Sequence, residues 1–150
     1  MIKIHDVEKE NGKHCATLSG HGDIIHDLSW GAEDRFLVSA SADGPVKVWN
    51  MQKLDDPSPE KFNHLDNDDK FFVTEILHPS FVYAAKVHPN SDANTLHIAT
   101  ACYDKMVRVW QVNVDGVDDG NKIGEVYATL DPANEVSILA KPEHTIGPKG

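Results

Sequence analysis

Ser39-Ala40-Ser41-Ala42-Asp43, followed by Val46-Lys47-Val48-Trp49, returns later in the chain as Thr100-Ala101-Cys102-Tyr103-Asp104, followed by Val107-Arg108-Val109-Trp110. In both copies a hydroxyl residue stands four before an Asp, and a Trp stands six after it. Upstream of each copy a His opens an apolar run, His21 before Ile24-Ile25 and His78 before Phe81-Val82. Three residue types held at one spacing twice over, each copy opened by a His, predict a repeated structural unit, and repetition is read before anything else because it decides the whole architecture. The segments between the fixed points alternate apolar and polar residues, as half-buried strands do.

The spacing resembles the blade of a WD40 β-propeller, a unit of four antiparallel strands, a to d from the axle outward. In such a blade a buried polar chain is expected to run from the Trp indole N–H to the hydroxyl, then to the His, then to the Asp of the b–c turn. That reading joins His21, Ser39, Asp43 and Trp49 in the first copy, and His78, Thr100, Asp104 and Trp110 in the second. Each link contributes a net of about 1 kcal/mol, and breaking one strands a buried group at greater cost. The same Ser, His and Asp types perform acyl transfer elsewhere. Here Ser39 and Thr100 lie inside the apolar stretches Phe36 to Ser41 and Leu96 to Cys102, where a strand buries the hydroxyl a nucleophile must expose, so no catalytic site is expected.

Overlaid, the two copies differ in length only between strands a and b, where Gly31 to Asp34 is replaced by the longer, turn-rich His88 to Thr95. Strand c reads in-out-in, with Lys47 and Arg108 expected to face out between valines. A third, partial copy opens the chain: Ile2-Lys3-Ile4-His5-Asp6-Val7 matches Val46-Lys47-Val48-Trp49-Asn50-Met51 position for position, with His5 in the Trp place. His14 to Leu18 then reads as a d strand. The expected organisation is all-β: residues 1–18 as the end of a preceding blade, 19–77 as a blade with an acidic insertion at 52–69, 78–130 as a second blade, and 131–150 as an extended or disordered tail. Two blades and a half fall short of the roughly four to eight that close a ring, so an incomplete propeller is the expectation.

Composition narrows the function. A net charge of -10 with few, scattered basic residues argues against nucleic-acid binding, which depends on clustered Lys and Arg. Much of the negative charge sits in Asp55-Asp56-Pro57-Ser58-Pro59-Glu60 and Asp66-Asn67-Asp68-Asp69, a solvated loop on this reading. Cys15 and Cys102 lie in predicted strands with no CxxC or close His pairing, and read as buried free thiols. The histidines form no pair at ligand spacing within one element, and Asp115 to Gly120 lacks the third and twelfth ligands of a calcium loop, so neither metal nor cofactor is expected. No stretch reaches the ~20 apolar residues of a membrane span, and the start lacks a basic-then-apolar leader, which makes a cytoplasmic location the default.

Three strings are more particular than the spacing: Ile24 to Trp30, Leu77 to Pro89 with its His-Pro-Ser-Phe-Val-Tyr core, and Cys102 to Trp110. They closely resemble consecutive blades of the jouberin family, over roughly residues 2 to 112. That resemblance implies a non-catalytic scaffold at the ciliary basal body and transition zone, with other ciliary scaffold proteins as partners. The binding face expected for such a scaffold is the loop rim where strand d meets a and b meets c, here Gly20 to Asp23 with Ala42 to Pro45, and Pro79 to Phe81 with Tyr103 to Lys105. Asp23, Phe81, Tyr103 and Lys105 are its candidate contact residues, because aromatic and cationic side chains dominate binding at such rims. A second reading makes the chain a structural module that associates with itself or is completed by further blades, since its blade sides are apolar.

Overall fold

A computed structural model describes residues 1–8, 11–54 and 71–114 and the strand Gly124–Leu130. The acidic insertion, the calcium-like loop and the 131–150 tail lie outside the described residues. Among the described residues there are ten strands and one 3-10 turn. Strands β1 (Ile2–Asp6) and β2 (Lys13–Leu18) pair as a two-stranded sheet. Strands β3 (Ile25–Gly31), β4 (Phe36–Ser41), β5 (Val46–Asn50) and β6 (Phe72–Ile76) form a four-stranded antiparallel sheet in sequence order, with the 3-10 turn Met51–Leu54 following β5. Strands β7 (Val82–Val87), β8 (Thr95–Cys102), β9 (Val107–Asn113) and β10 (Gly124–Leu130) repeat that arrangement. These are two WD40-type blades and the outer strand pair of a third.

The repeat holds at the level of register. Ser39 faces Lys47 across β4–β5 as Thr100 faces Arg108 across β8–β9, and Leu37 faces Trp49 as Ile98 faces Trp110. Each unit carries a register shift at the Trp position: between Val48 and Trp49, opposite Trp110 in the β9–β10 pairing, and between Ile4 and His5 in the N-terminal pair. Each complete blade has a second shift early in its innermost strand, at Ile25/Asp27 and at Val82/Ala84. A bulge adds a residue to one strand and re-aims its side chain, so matched bulges mark matched local geometry.

Two apolar layers hold the stack together. Phe36, Val38, Ala40, Val46 and Val48 on one side of the first blade meet Val82, Ala85, Leu96, Ile98, Trp110 and Val112 of the second. On the first blade's other side, Leu37 and Trp49 pack with Ile2, Ala16 and Leu18 of the N-terminal pair. Alternate residues of a strand point to opposite faces. A strand buried at every position, as all six residues of β4 are even though Ser39 and Ser41 are polar, therefore belongs between two layers.

The innermost strands meet through polar hooks. The Asp27 carboxylate accepts from the Ala85 N–H at 3.1 Å and from Lys86 Nζ at 2.6 Å, and Ser29 Oγ accepts from the Val87 N–H at 3.1 Å. Approach here is so close that a Cβ at Gly31 would lie 2.2 Å from Val87 Cγ1, which only glycine avoids.

Two placements differ from the sequence-based expectation. Cys15 is exposed, because β2 is an outer strand whose first half lacks a covering layer among the described residues, whereas Cys102 is buried. Lys47 does not project into solvent: it is buried, bonded to Glu75 at 2.7 Å across β5–β6, with its ammonium 5.1 Å from the Phe72 ring centre. Its long apolar stem covers neighbouring surface while the charge finds a carboxylate.

Candidate protein-binding rim and the buried networks behind it

In the first blade the polar residues form one connected chain. Trp49 Nε1–H donates to Ser39 Oγ at 2.9 Å, and Ser39 Oγ lies 2.7 Å from His21 Nε2. His21 Nδ1 lies 3.1 Å from both oxygens of Asp43, and Asp43 Oδ2 also accepts from the Gly22 N–H at 2.7 Å. Proton bookkeeping assigns the tautomer. The Asp43 carboxylate can only accept, so the ring proton sits on Nδ1, and Nε2 of the neutral ring accepts from the Ser39 hydroxyl, whose oxygen accepts from the indole. Burial pulls the His21 pKa below its ordinary value even though Asp43 pulls the other way, so the ring is neutral at pH 7. For Asp43 burial acts upward, but the Gly22 N–H, Ser41 and His21 outweigh it and hold the carboxyl below the usual range.

The second blade begins the same way. Trp110 Nε1–H donates to Thr100 Oγ1 at 2.9 Å, and His78 Nε2 lies 2.8 Å from that hydroxyl. There the likeness stops. His78 Nδ1 donates to the Ile76 carbonyl at 3.0 Å, while Asp104 binds the Arg108 guanidinium through two bonds of 3.2 and 2.6 Å and accepts from the Met106 N–H at 3.1 Å. The expectation that Asp104 closes the His78 chain is therefore corrected. The cause lies in two substitutions between the repeats. Pro79 stands where Gly22 stands and has no N–H to hold the carboxylate. Arg108 stands where Lys47 stands, and its planar fork takes both carboxylate oxygens. With Arg108 as the main cause, the Asp104 pKa falls to about 2. Burial lowers the His78 pKa as it does that of His21.

Ser39 is 0% and Thr100 1% exposed, so neither hydroxyl reaches a surface where a substrate could meet it. Among the described residues no cluster of three or more His, Cys, Asp or Glu could hold a metal ion. His5 and His14 stack edge to face, but their nitrogens engage the Gly12 carbonyl at 3.0 Å and Thr17 Oγ1 at 2.9 Å. No helix among the described residues is long and apolar enough to cross a membrane.

The candidate rim residues lie outside these networks. Phe81 is 47% and Tyr103 60% exposed, with ring centres 5.8 Å apart and the Tyr103 N–H donating to the Phe81 carbonyl at 2.8 Å. The row continues from Tyr103 to the half-exposed Tyr83 at 6.2 Å, and from Tyr83 to His26 on the first blade at 5.4 Å. Lys105 follows in the b–c turn with φ of 71°. Asp23 turns its carboxylate back to the Ile24 N–H at 2.7 Å, beside an Ile24 that is itself exposed. Tyr83 and His26 were missed from sequence because each reads as a strand residue. They are the bulged residues of β7 and β3, left out of the pairing register, and the bulges turn both rings to the same outer surface. The available signal was that they are equivalent: His26 and Tyr83 occupy the same repeat position, five after the His that opens each copy.

Comparison with known proteins places this geometry in context. The family model described as "WD domain, G-beta repeat" matches residues 12–50 and 66–111. The chain is similar to jouberin of Mus musculus, 38% identical over 106 residues that make up 71% of this chain and 8% of that protein. It is also similar to the GATOR2 complex protein WDR24 of Danio rerio, 24% identical over 95% of this chain and 15% of that protein. The target of rapamycin complex subunit LST8 of Saccharomyces cerevisiae is 25% identical over 53% of this chain and 24% of its own length. Among solved structures, the β-propeller domain of Cps50 (Swd1) from Myceliophteria thermophila superposes with a TM-score of 0.53 at 21% identity, covering 81% of this chain and 30% of that one, a likeness of fold. The chain thus spans between 8% and 24% of the length of these three sequence relatives.

Proposed function

The chain belongs to the WD40 repeat family, a family of protein-interaction scaffolds, and from that premise we propose that it binds a partner protein through the aromatic row on its loop rim, within an assembly at the ciliary base. The repeat units are divided at residues 18/19 and 77/78 on this reading. One observation carries the rim assignment: Phe81, Tyr103, Tyr83 and His26 form an exposed run of ring contacts that crosses from one blade to the next. Exposed aromatic side chains at this density are costly to leave in water and supply large contact area at low entropic cost when covered. The turn bearing Tyr103 and Lys105 is held by the part-buried Asp104–Arg108 pair. The ciliary location rests on the resemblance to jouberin; the complex subunits WDR24 and LST8 support the coarser role of a component of a multiprotein assembly.

The test is proximity labelling in a ciliated cell line, comparing the wild-type chain with Phe81→Ser/Tyr103→Ser and with Arg35→Ala/Asn94→Ala at a different surface. The reading expects labelled neighbours at the ciliary base that the Phe81/Tyr103 variant loses and the Arg35/Asn94 variant keeps. Neighbours shared equally by all three forms contradict the rim assignment, and a wild-type chain absent from the ciliary base contradicts the location.

A further inference from the structure

The aromatic row offers a partner rings and hydroxyl donors but no strand edge. The Ala85 and Val87 N–H groups of β7, which face β3, are already taken by Asp27 and Ser29. In the neighbouring turn the Tyr103 N–H is held by the Phe81 carbonyl. A partner seated on the row therefore lacks the main-chain ladder that an added β-strand requires. Side chains are what remain. Phe81, Tyr103, Tyr83 and His26 follow one another at ring-centre steps of 5.8, 6.2 and 5.4 Å. Tyr83 and Tyr103 are half-exposed or more, and neither phenol hydroxyl has a hydrogen-bond partner among the described residues. Each of those hydroxyls is free to donate.

A polyproline II helix complements such a surface. It has no internal hydrogen bonds, its prolines carry apolar rings and no N–H, and its carbonyls stand free to accept from the two phenols. It advances about 3.1 Å per residue, so each step between rings spans about two residues and the row seats about six. Because it is stiff before it docks, little entropy is lost on binding. Charge narrows the ligand further. The nearby carboxylates are engaged, Asp104 with Arg108 and Asp27 with Lys86, while Asp23 accepts from the Ile24 N–H. Lys105 is exposed in the same turn as Tyr103 and has no carboxylate partner among the described residues. An unpaired cation at that end of the row favours an acidic neighbour and disfavours a cationic ligand. We infer that the rim binds a proline-rich segment in the polyproline II conformation, with an acidic residue at the end that meets Lys105. Such a partner presupposes the rim assignment above and gives it a chemical class.

The probe is a fluorescent peptide of about eight prolines with a pair of glutamates at each end, so that either chain direction brings an acid to Lys105. It is titrated against the full chain by anisotropy. Saturable binding is expected, with the ring-proton NMR signals of Phe81, Tyr83 and Tyr103 shifting in step. The same peptide with glycine and serine in place of the prolines is expected to bind more weakly by about tenfold or more, since it must be ordered on docking. Tyr83→Phe/Tyr103→Phe keeps every ring and removes only the hydroxyls, and an affinity loss of about tenfold is expected, as two hydrogen bonds of ordinary strength imply. Lys105→Glu, at an exposed position, is expected to weaken the glutamate-flanked peptide about threefold and to favour a lysine-flanked one, both effects fading in high salt. No saturation at about 1 mM peptide, equal binding of the glycine-serine peptide, or binding indifferent to the two hydroxyls overturns the proline-rich ligand. A wild-type preference for the lysine-flanked peptide overturns the acidic flank. Failure here is distinguishable from failure of the rim: a Phe81→Ser/Tyr103→Ser chain that loses its labelled neighbours while the oligoproline does not bind keeps the rim and rejects this ligand, and one that keeps its neighbours rejects the rim.

Discussion

The two blades share strand order, register and bulge positions, yet they anchor the Asp of the b–c turn in different ways. Asp43 is drawn inward and ends a buried chain through His21 and Ser39 to Trp49. Asp104 is drawn sideways to Arg108, and its His turns to a main-chain carbonyl. The first blade thus ties its turn carboxylate to its core through side chains, while the second ties its turn carboxylate to Arg108 of strand β9. What differs is who supplies the turn carboxylate with donors: a backbone N–H at Gly22 in one blade, a guanidinium where proline has removed that N–H in the other.

The largest effects lie in what the blades have in common. Trp49→Ala and Trp110→Ala each remove a buried indole and one of the hydrogen bonds of a buried hydroxyl, and each is expected to lower unfolding stability by about 3 to 5 kcal/mol in a denaturant titration. Near-equal losses keep the blades equivalent at the Trp; a loss under about 1 kcal/mol for either would detach that indole from the stabilising core.

The Asp positions separate the blades. Asp43→Ala leaves His21 Nδ1–H and the Gly22 N–H without their acceptor and is expected to cost about 1 to 3 kcal/mol. Asp104→Ala breaks a partly exposed ion pair and is expected to cost about 1 kcal/mol or less. A reversed order would contradict the comparison.

Acid should sharpen it. Both histidines have folded-state pKa values below the ordinary 6.5, so the unfolded chain binds more protons as pH falls through 6.5, and stability declines from there downward. Asp43→Ala removes a carboxylate that raises the His21 pKa, so its melting temperature should fall more steeply below pH 6.5 than that of Asp104→Ala. The Asp104 contribution is intact above its ordinary 3.8 and is lost only as pH falls toward about 2.

The smallest effect concerns the turn itself. Lys105 holds φ of 71° where the first blade has Gly44 at 105°, a region L side chains rarely adopt. Lys105→Gly is therefore expected to be neutral or to stabilise by a few tenths to about 1 kcal/mol, and Gly44→Ala to destabilise by about 1 kcal/mol or more. Equal responses at the two positions would mean that the turns are not equivalent.

Most of the fold was legible because its determinants are local and repeated. Hydroxyl, Asp and Trp at one spacing fix where strands b and c begin and end, and the alternation at Val46-Lys47-Val48 fixes which faces are apolar. The His–hydroxyl–Trp part of each network needs only those residues and that register. The partner of Asp104 was not legible from the motif, because it depends on a competition between Arg108 and a missing N–H at Pro79 that spacing alone does not weigh. The full aromatic row was hidden for a related reason. Strict strand alternation sends His26 and Tyr83 to the inter-blade faces, and only the bulges at Ile25/Asp27 and Val82/Ala84 bring them out beside Tyr103. Lys47 misled in the opposite way, because an outward position on one strand was covered by Glu75 and Phe72 from the next.

The most direct test of the difference between the blades is ¹⁵N NMR of the histidine rings in the wild-type chain, Asp43→Ala and Asp104→Ala. The structure predicts that replacing Asp43 moves the His21 Nδ1 resonance, while replacing Asp104 leaves the His78 Nδ1 resonance in place, since the Ile76 carbonyl holds it. A His78 Nδ1 shift on loss of Asp104 as large as that of His21 on loss of Asp43 would contradict it, and would return the second blade to the same closed chain as the first.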